Sequence, residues 1–208
     1  FYAAMSRVLP GQTSFAMLPW KPAIHLALFV HRVDNLTPGL YFLLRDPDER
    51  EALQAAMNGE FLWQRPDSCP ATLPLYLLQA GDVRQTAQAV SCGQEIASDG
   101  VFALGMLAEY EESLRRYGAW FYRRLHWEAG AVGQMLYLEA EAAGLRATGI
   151  GCFFDDSMHQ MLGLPGYRTA GQPSLRYQTL YHFTVGGPVE DVRLRTIPAY
   201  AHRVIGNR

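Results

Sequence analysis

Hydrophobic positions along the chain change their spacing several times, and each change marks an element. Phe1, Met5, Val8 and Leu9 recur at helical intervals and stop at Pro10-Gly11, which predicts the end of a helix over residues 1–9. Residues 10–23 carry Pro10, Gly11, Pro19 and Pro22 and predict a loop. HLALFVHR, residues 25–32, is an unbroken apolar run rich in β-formers and predicts a buried strand. Asp34-Asn35 and Pro38-Gly39 then mark a turn into a second strand over 40–45, so the two read as a hairpin. Residues 47–57 predict a short helix, with Asp46 as N-cap, Pro47 at the first helical position and acids in the first turn. A third strand follows at 73–79. A helix over 82–92 presents Val83, Ala87 and Val90 on one face, and residues 93–100 form a linker. Residues 101–110 predict a strand, and a helix over 111–116 breaks at Gly118.

The longest helical pattern runs over 119–143, with Gly144 in the place of a residue just past a helix end. Val132, Leu136 and Leu138 spread apolar surface around this helix, and Gly130, Ala131, Gly133, Ala140, Ala142 and Ala143 are small. The combination predicts burial on most sides, with another backbone, helix or subunit approaching closely. A tight turn over 149–154 follows, then a short helix over 155–162 capped by Asp155 or Asp156. Residues 167–173 read as loop, 178–185 as a fifth strand, and 189–208 as a polar, arginine-bearing tail. Strands and helices do not alternate in βαβ order, which favours an α+β architecture over a doubly wound sheet.

Composition narrows the functional classes. The 208 residues suit a single domain over 1–208, and the opening at Phe1 inside a helical pattern is expected of a domain incomplete at its N-terminus. A net charge of −2 gives no electrostatic footprint for nucleic acid and no polybasic membrane anchor. Glu128, Gln134, Glu139 and Glu141 interrupt the longest apolar stretch, so nothing approaches the ~18–20 residues of a spanning helix. Cys69, Cys92 and Cys152 are odd in number and widely spaced. That argues against a disulfide framework and suits a reducing cytoplasm.

Candidate chemistry is sparse. Gly149-Ile150-Gly151-Cys152 permits close backbone approach and is either a plain connection or a set of amides presented to a planar cofactor. It is not a dinucleotide fingerprint, because the third glycine and the strand-turn-helix context are missing. Asp156 and His159 share a helix face, but no matching ligand cluster points to a metal. His126 and Glu128 are two apart on a helix and do not face each other. Ser91-Cys92-Gly93 lacks the GxSxG elbow of a nucleophile. The tail arginines, Arg193, Arg195, Arg203 and Arg208, are either solvated or reach an anionic phosphate. No catalytic residue stands out.

Taken together, several of these motifs resemble one family. Glu128-Ala129-Gly130, the helix ending in Ala143-Gly144-Leu145, the Gly149-Ile150-Gly151 turn, the Asp155 to Gly163 helix and the Val185-Gly186-Gly187-Pro188 strand end look like the C-terminal half of nitroreductase-type flavin enzymes. VHRVDNLTPGLYFLLRD, residues 30–46, is similar to the hairpin of the SagB-type dehydrogenase-like branch. The resemblance implies a central antiparallel sheet packed by helices and a long central helix at a dimer or pseudo-dimer interface. The partner would be an identical chain or a preceding tandem domain. It implies FMN as cofactor with its ring edge at Gly149, Ile150, Gly151 and Cys152, NAD(P)H as electron donor, and a small organic substrate oxidised or reduced in the cytoplasm. Lys21 stands in the region of the family's flavin-side loop, and Arg195 and Arg203 neighbour its C-terminal basic positions. Two departures are visible. The family's Arg-Arg-Ser-x-Arg phosphate-binding segment is not in this sequence. Arg116-Tyr117 stands where the branch has Lys-Tyr, and an arginine stays protonated and does not serve as a base, against thiazoline oxidation. The alternative the resemblance leaves is a degenerate half that binds no flavin and serves as a structural or dimerisation unit.

Overall fold

A computed structural model describes residues 1–166, 175–189 and the single positions 193, 197 and 200. In chain order the elements are α1 (Tyr2–Arg7), β1 (Ile24–Val30), β2 (Gly39–Leu43), α2 (Arg50–Ala56), β3 (Leu75–Ala80), α3 (Arg84–Val90), α4 (Ile96–Asp99), β4 (Phe102–Glu109), α5 (Tyr110–Tyr117), α6 (Tyr122–Ala142), β5 (Arg146–Ile150), α7 (Asp155–Leu162) and β6 (Tyr177–Gly186). Short 3-10 turns lead into α2 at Pro47–Glu49 and into α6 at Ala119–Phe121.

The strands form one antiparallel sheet in the order β3-β2-β1-β4-β6-β5. Helices cover both faces. On one face α1 and α6 bury Met5, Leu125, Ala129, Val132 and Leu136 against alternate strand residues such as Leu26, Leu28, Leu104 and Phe183. On the other, α2, α3, α4 and α7 bury Leu53, Ala87, Ala97, Met158 and Leu162 against Ala27, Phe29, Phe42 and Leu107. Burial on both faces explains why β1 is apolar at every position but His25, since neither set of alternating side chains meets water. The α+β expectation and the long central helix are met.

Three details differ from the sequence reading. The segment over 146–150 is a sixth strand, not the lead-in to a turn, and Gly149 and Ile150 belong to it. Its exposed Arg146 and Thr148 and the glycine between Thr148 and Ile150 hide it, because an edge strand has one hydrogen-bonded neighbour and little core to fill. Residues 96–99, within the expected linker, form α4. And α6 is not buried on most sides within this chain: Trp127, Gly130, Gln134, Tyr137 and Leu138 face outward. The break at Gly118 and the stop at Gly144 hold, both with positive φ, +88° and +70°. Asp46 caps the turn at Pro47, accepting from the Asp48 N–H at 3.1 Å.

Candidate functional site

The inner side of α6 is fixed by a buried charge pair. Arg45, just past β2, and Glu128, in the second turn of α6, are each about 1% exposed and hydrogen-bond directly. Every neighbour contributes. Glu128 also accepts from the Trp20 indole N–H at 3.1 Å and from the Ala23 and Ile24 amides at 3.2–3.3 Å. Arg45 donates through Nε to the Val8 carbonyl at 2.7 Å and through Nη1 to the Ile24 carbonyl at 3.0 Å. A desolvated pair is tolerated only when its remaining donors and acceptors are matched in this way. The network ties α1, the start of β1, the end of β2 and α6 together, and so orients the helix on the sheet. It also separates Glu128 from the exposed His126, as their spacing indicates.

The outward side of α6 carries a shallow groove of about 240 Å³ between the helix and β6. His126, Ala129, Gly130, Gly133, Gln134, Tyr137 and Tyr181 line it. The Gly149 N–H donates to the Tyr137 hydroxyl at 2.8 Å, so the groove runs into the β5 edge. Tyr181 packs so closely on Gly149 that a Cβ there would overlap its hydroxyl and lie 2.6 Å from Cζ. Gly149 therefore serves the chain's own packing. Gly151 is different: a Cβ there would meet nothing within 4 Å. Neither glycine has positive φ, so close approach and not backbone conformation is what each provides.

The segment after Gly151 is fastened to the end of α3. Cys152 is disulfide-bonded to Cys92, with Cα atoms 5.8 Å apart. The Phe154 N–H donates to the Val90 carbonyl at 2.8 Å, and Gln94 Nε2 donates to the Cys152 carbonyl at 3.0 Å. Phe153 stacks on His182, centroids 4.6 Å apart, and His182 Nδ1 pairs with Ser91 Oγ at 3.1 Å. Gly105 leaves room for that imidazole: a Cβ there would lie 3.1 Å from His182 Nε2. Burial lowers His182 to about 4, keeping it neutral. The cysteine reading is thus corrected. Three widely spaced cysteines do contain one bonded pair, and Cys69 alone is a free thiol. Sequence spacing misses it because only the packing of the α3 end against the segment after β5 brings residues sixty apart together.

Other sequence candidates resolve plainly. His159 is buried; its Nε2 accepts from the Thr179 N–H at 3.1 Å and its Nδ1 lies 3.1 Å from the Pro165 carbonyl, a structural bridge between α7 and β6. Among the described residues no cluster of ligating side chains could hold a metal. Asp155 opens α7 as its first residue, with Phe154 at the N-cap position. Lys21 forms ion pairs with Asp46 at 2.8 Å and Asp48 at 3.3 Å, and its hydrogen bond to Asp46 holds its pKa above the ordinary value. Arg195 and Arg203 lie outside the described residues. Near Lys21, burial and the neighbouring Glu49 push Glu109 up to about 7; Glu49 itself accepts from Arg176 and from the Tyr177 hydroxyl, each at 3.0 Å.

A six-stranded antiparallel sheet between two helical layers, with one long helix across it, is the architecture of the nitroreductase group, and sequence comparison agrees. Residues 35–186 match the nitroreductase family, and the chain belongs to it. A relative assigned as a nitroreductase in Methanocaldococcus jannaschii is 37% identical over 60 residues, 29% of this chain and 30% of that protein. Crystal structures of proteins assigned as nitroreductases share the fold. The one from Anabaena variabilis has a TM-score of 0.58 at 24% identity over 80% of this chain, and the one from Ralstonia eutropha 0.57 at 14% over 91%. The Escherichia coli microcin synthetase McbBCD complex, with a truncated pro-MccB17 bound, gives 0.58 at 17% identity over 91%. The chain spans 27% of the Anabaena protein, 72% of the Ralstonia protein and 63% of the microcin synthetase chain. Among the described residues no helix is long and apolar enough to cross a membrane.

Proposed function

We propose that this chain is an FMN-dependent oxidoreductase unit of nitroreductase type, in the SagB-type dehydrogenase-like branch. In this reading it works in the cytoplasm on a small organic substrate, with NAD(P)H as electron donor. The observation that carries the reading is the β5 edge at Gly149–Cys152. The Gly149 N–H points away from β6, toward Tyr137. Gly151 follows directly beyond the strand end, exposed, and a Cβ there would meet nothing within 4 Å. A planar ring edge fits there. When bound, FMN supplies two-electron transfer at N5. The chain's part is to present the Gly151 amide as a donor where negative charge collects, and to hold that amide still through the contacts of residues 152–154 with α3.

The outward side of α6, small at Gly130 and aromatic at Trp127 and Tyr137, supports pairing with a second unit, an identical chain or a preceding tandem domain. The phosphate end of FMN is assigned to Lys21, Arg195 and Arg203. At Lys21 a phosphate would compete with Asp46 and Asp48, and this favours the second reading, a unit that has lost flavin and keeps the structural role.

One titration separates the two readings. Purified protein is mixed with FMN and followed by the quenching of flavin fluorescence. Saturable binding, weakened at least ~10-fold by Gly151→Val at an unchanged unfolding midpoint, supports the flavin reading. No binding by the parent protein would establish the flavin-free one.

A further inference from the structure

The Cys92–Cys152 bond helps to hold the segment after Gly151 in the proposed flavin site, on which reading its role here rests, yet its setting is unlike that of a buried structural link. Cys152 is exposed, and Cys92 is half-buried at the end of α3. Cys92 has φ +58°, a left-handed conformation that glycine normally supplies after a helix and that a cysteine adopts at a cost. The bond spans two otherwise separate pieces of backbone, the α3 end and the segment that follows Gly151. Beyond the bond, what holds that segment on α3 is the Phe154 amide on Val90 and the Gln94 amide on the Cys152 carbonyl. Opening the bond leaves this attachment to two hydrogen bonds and the Phe153–His182 stack, while Cys92 is freed to leave its strained conformation. The remaining thiol, Cys69, lies elsewhere, against the carbonyls of Pro70 and Leu73, with burial raising its pKa.

We propose that Cys92–Cys152 is a thiol-exchange site that low-molecular-weight thiols open in the folded protein, and that its state sets how firmly residues 151–154 are held. A thiolate attacks the exposed Cys152 Sγ. A mixed disulfide forms there, and Cys92 leaves as a thiolate and takes up a proton. A second thiolate attacks the external sulfur of the mixed disulfide and releases Cys152. Two external thiols are oxidised to one disulfide, and the protein gains two thiols and two protons.

The test uses the full chain, purified without reductant and treated with N-ethylmaleimide in native buffer before intact mass measurement. No more than one adduct, on Cys69, is expected as isolated, and adducts on both Cys92 and Cys152 after incubation with glutathione without denaturant. Chymotryptic cleavage at Phe153 and Phe154 should rise at least ~10-fold on the same treatment. Cys152→Ser, which cannot form the bond, should show the faster cleavage with or without glutathione; the wild-type adduct count decides the matter should that variant fail to fold. Adducts on Cys92 and Cys152 before reduction would overturn the proposal. So would a pair that opens only in denaturant, or cleavage that does not change when it opens.

Discussion

The two sides of α6 are built on opposite terms. Its inner side carries the buried ion of Glu128, which meets Arg45 from the end of β2, and the pair is completed by Val8 after α1, by Trp20 and by Ala23 and Ile24 at the start of β1. Its outer side carries Trp127, Gly130, Tyr137 and Leu138, all exposed; Tyr137 takes the Gly149 N–H and Trp127 lies under Arg124, but no buried charge is matched there among the described residues. The inner side is completed by its own chain and the outer side is not. Chemistry placed on the finished side would have to break matched hydrogen bonds, whereas the outer side and the adjoining β5 edge still have donors and apolar surface to offer.

The largest test of this contrast removes one ion. Arg45→Met leaves Glu128 buried with its partner gone and should cost about 3–5 kcal/mol in urea-monitored unfolding, enough to unfold many domains. Adding Glu128→Gln to that variant should recover a substantial part. A double variant no more stable than the single one would show that packing and not charge holds the inner side.

Next is the glycine pair. Gly149→Ala pushes a methyl into Tyr181 and should destabilise by about 1–3 kcal/mol. Gly151→Ala, in open space, should stay within about 0.5 kcal/mol. Equal effects in thermal melts would erase the distinction between a glycine used by the fold and one available to a ligand.

A third test lies where the inner network meets solvent. The Glu109 amide donates to the Ala23 carbonyl, and the Ala23 amide donates to Glu128. With its folded pKa raised to about 7 from 4.5, Glu109 binds more proton folded than unfolded between those values. Its contribution is complete below pH 4.5 and lost as pH rises to 7, by about 1–2 kcal/mol after allowance for solvent screening. Glu109→Gln should flatten that fall in a stability–pH profile. The buried His182, lowered to about 4, has the opposite sign and removes stability as pH drops below 6.5, so the Gln variant should keep its acid-side loss.

The smallest effect on folding belongs to the outer side. Leu138→Glu is expected to shift the monomer's stability by under about 0.5 kcal/mol while abolishing any self-association seen by sedimentation. A large loss of stability would mean that this side is already used within the chain.

Much of the frame is legible in sequence. The apolar run of β1, the Asp46-Pro47 cap, the length of α6 and the α7 helix follow from local spacing and capping chemistry, which the fold does not override. In the Gly149-Ile150-Gly151 pattern, the first two residues are strand and not turn, and the first glycine makes room for Tyr181. What stays hidden depends on distant segments. β5 is recognisable only beside β6, and Arg45 and Glu128, 83 positions apart, show as a pair only once the chain between them is folded. The cysteine pair likewise exists only where the α3 end meets the segment after β5.

That pair has a topological consequence. Cys92 and Cys152 enclose α4, β4, α5, α6 and β5 in one covalent ring. While the bond is closed, a single cut anywhere between them opens the ring and releases nothing. A chain nicked beside the helix that would meet a second unit therefore stays one covalent molecule, with that helix still held by its other end, and the two pieces part only after a thiol has opened the bond.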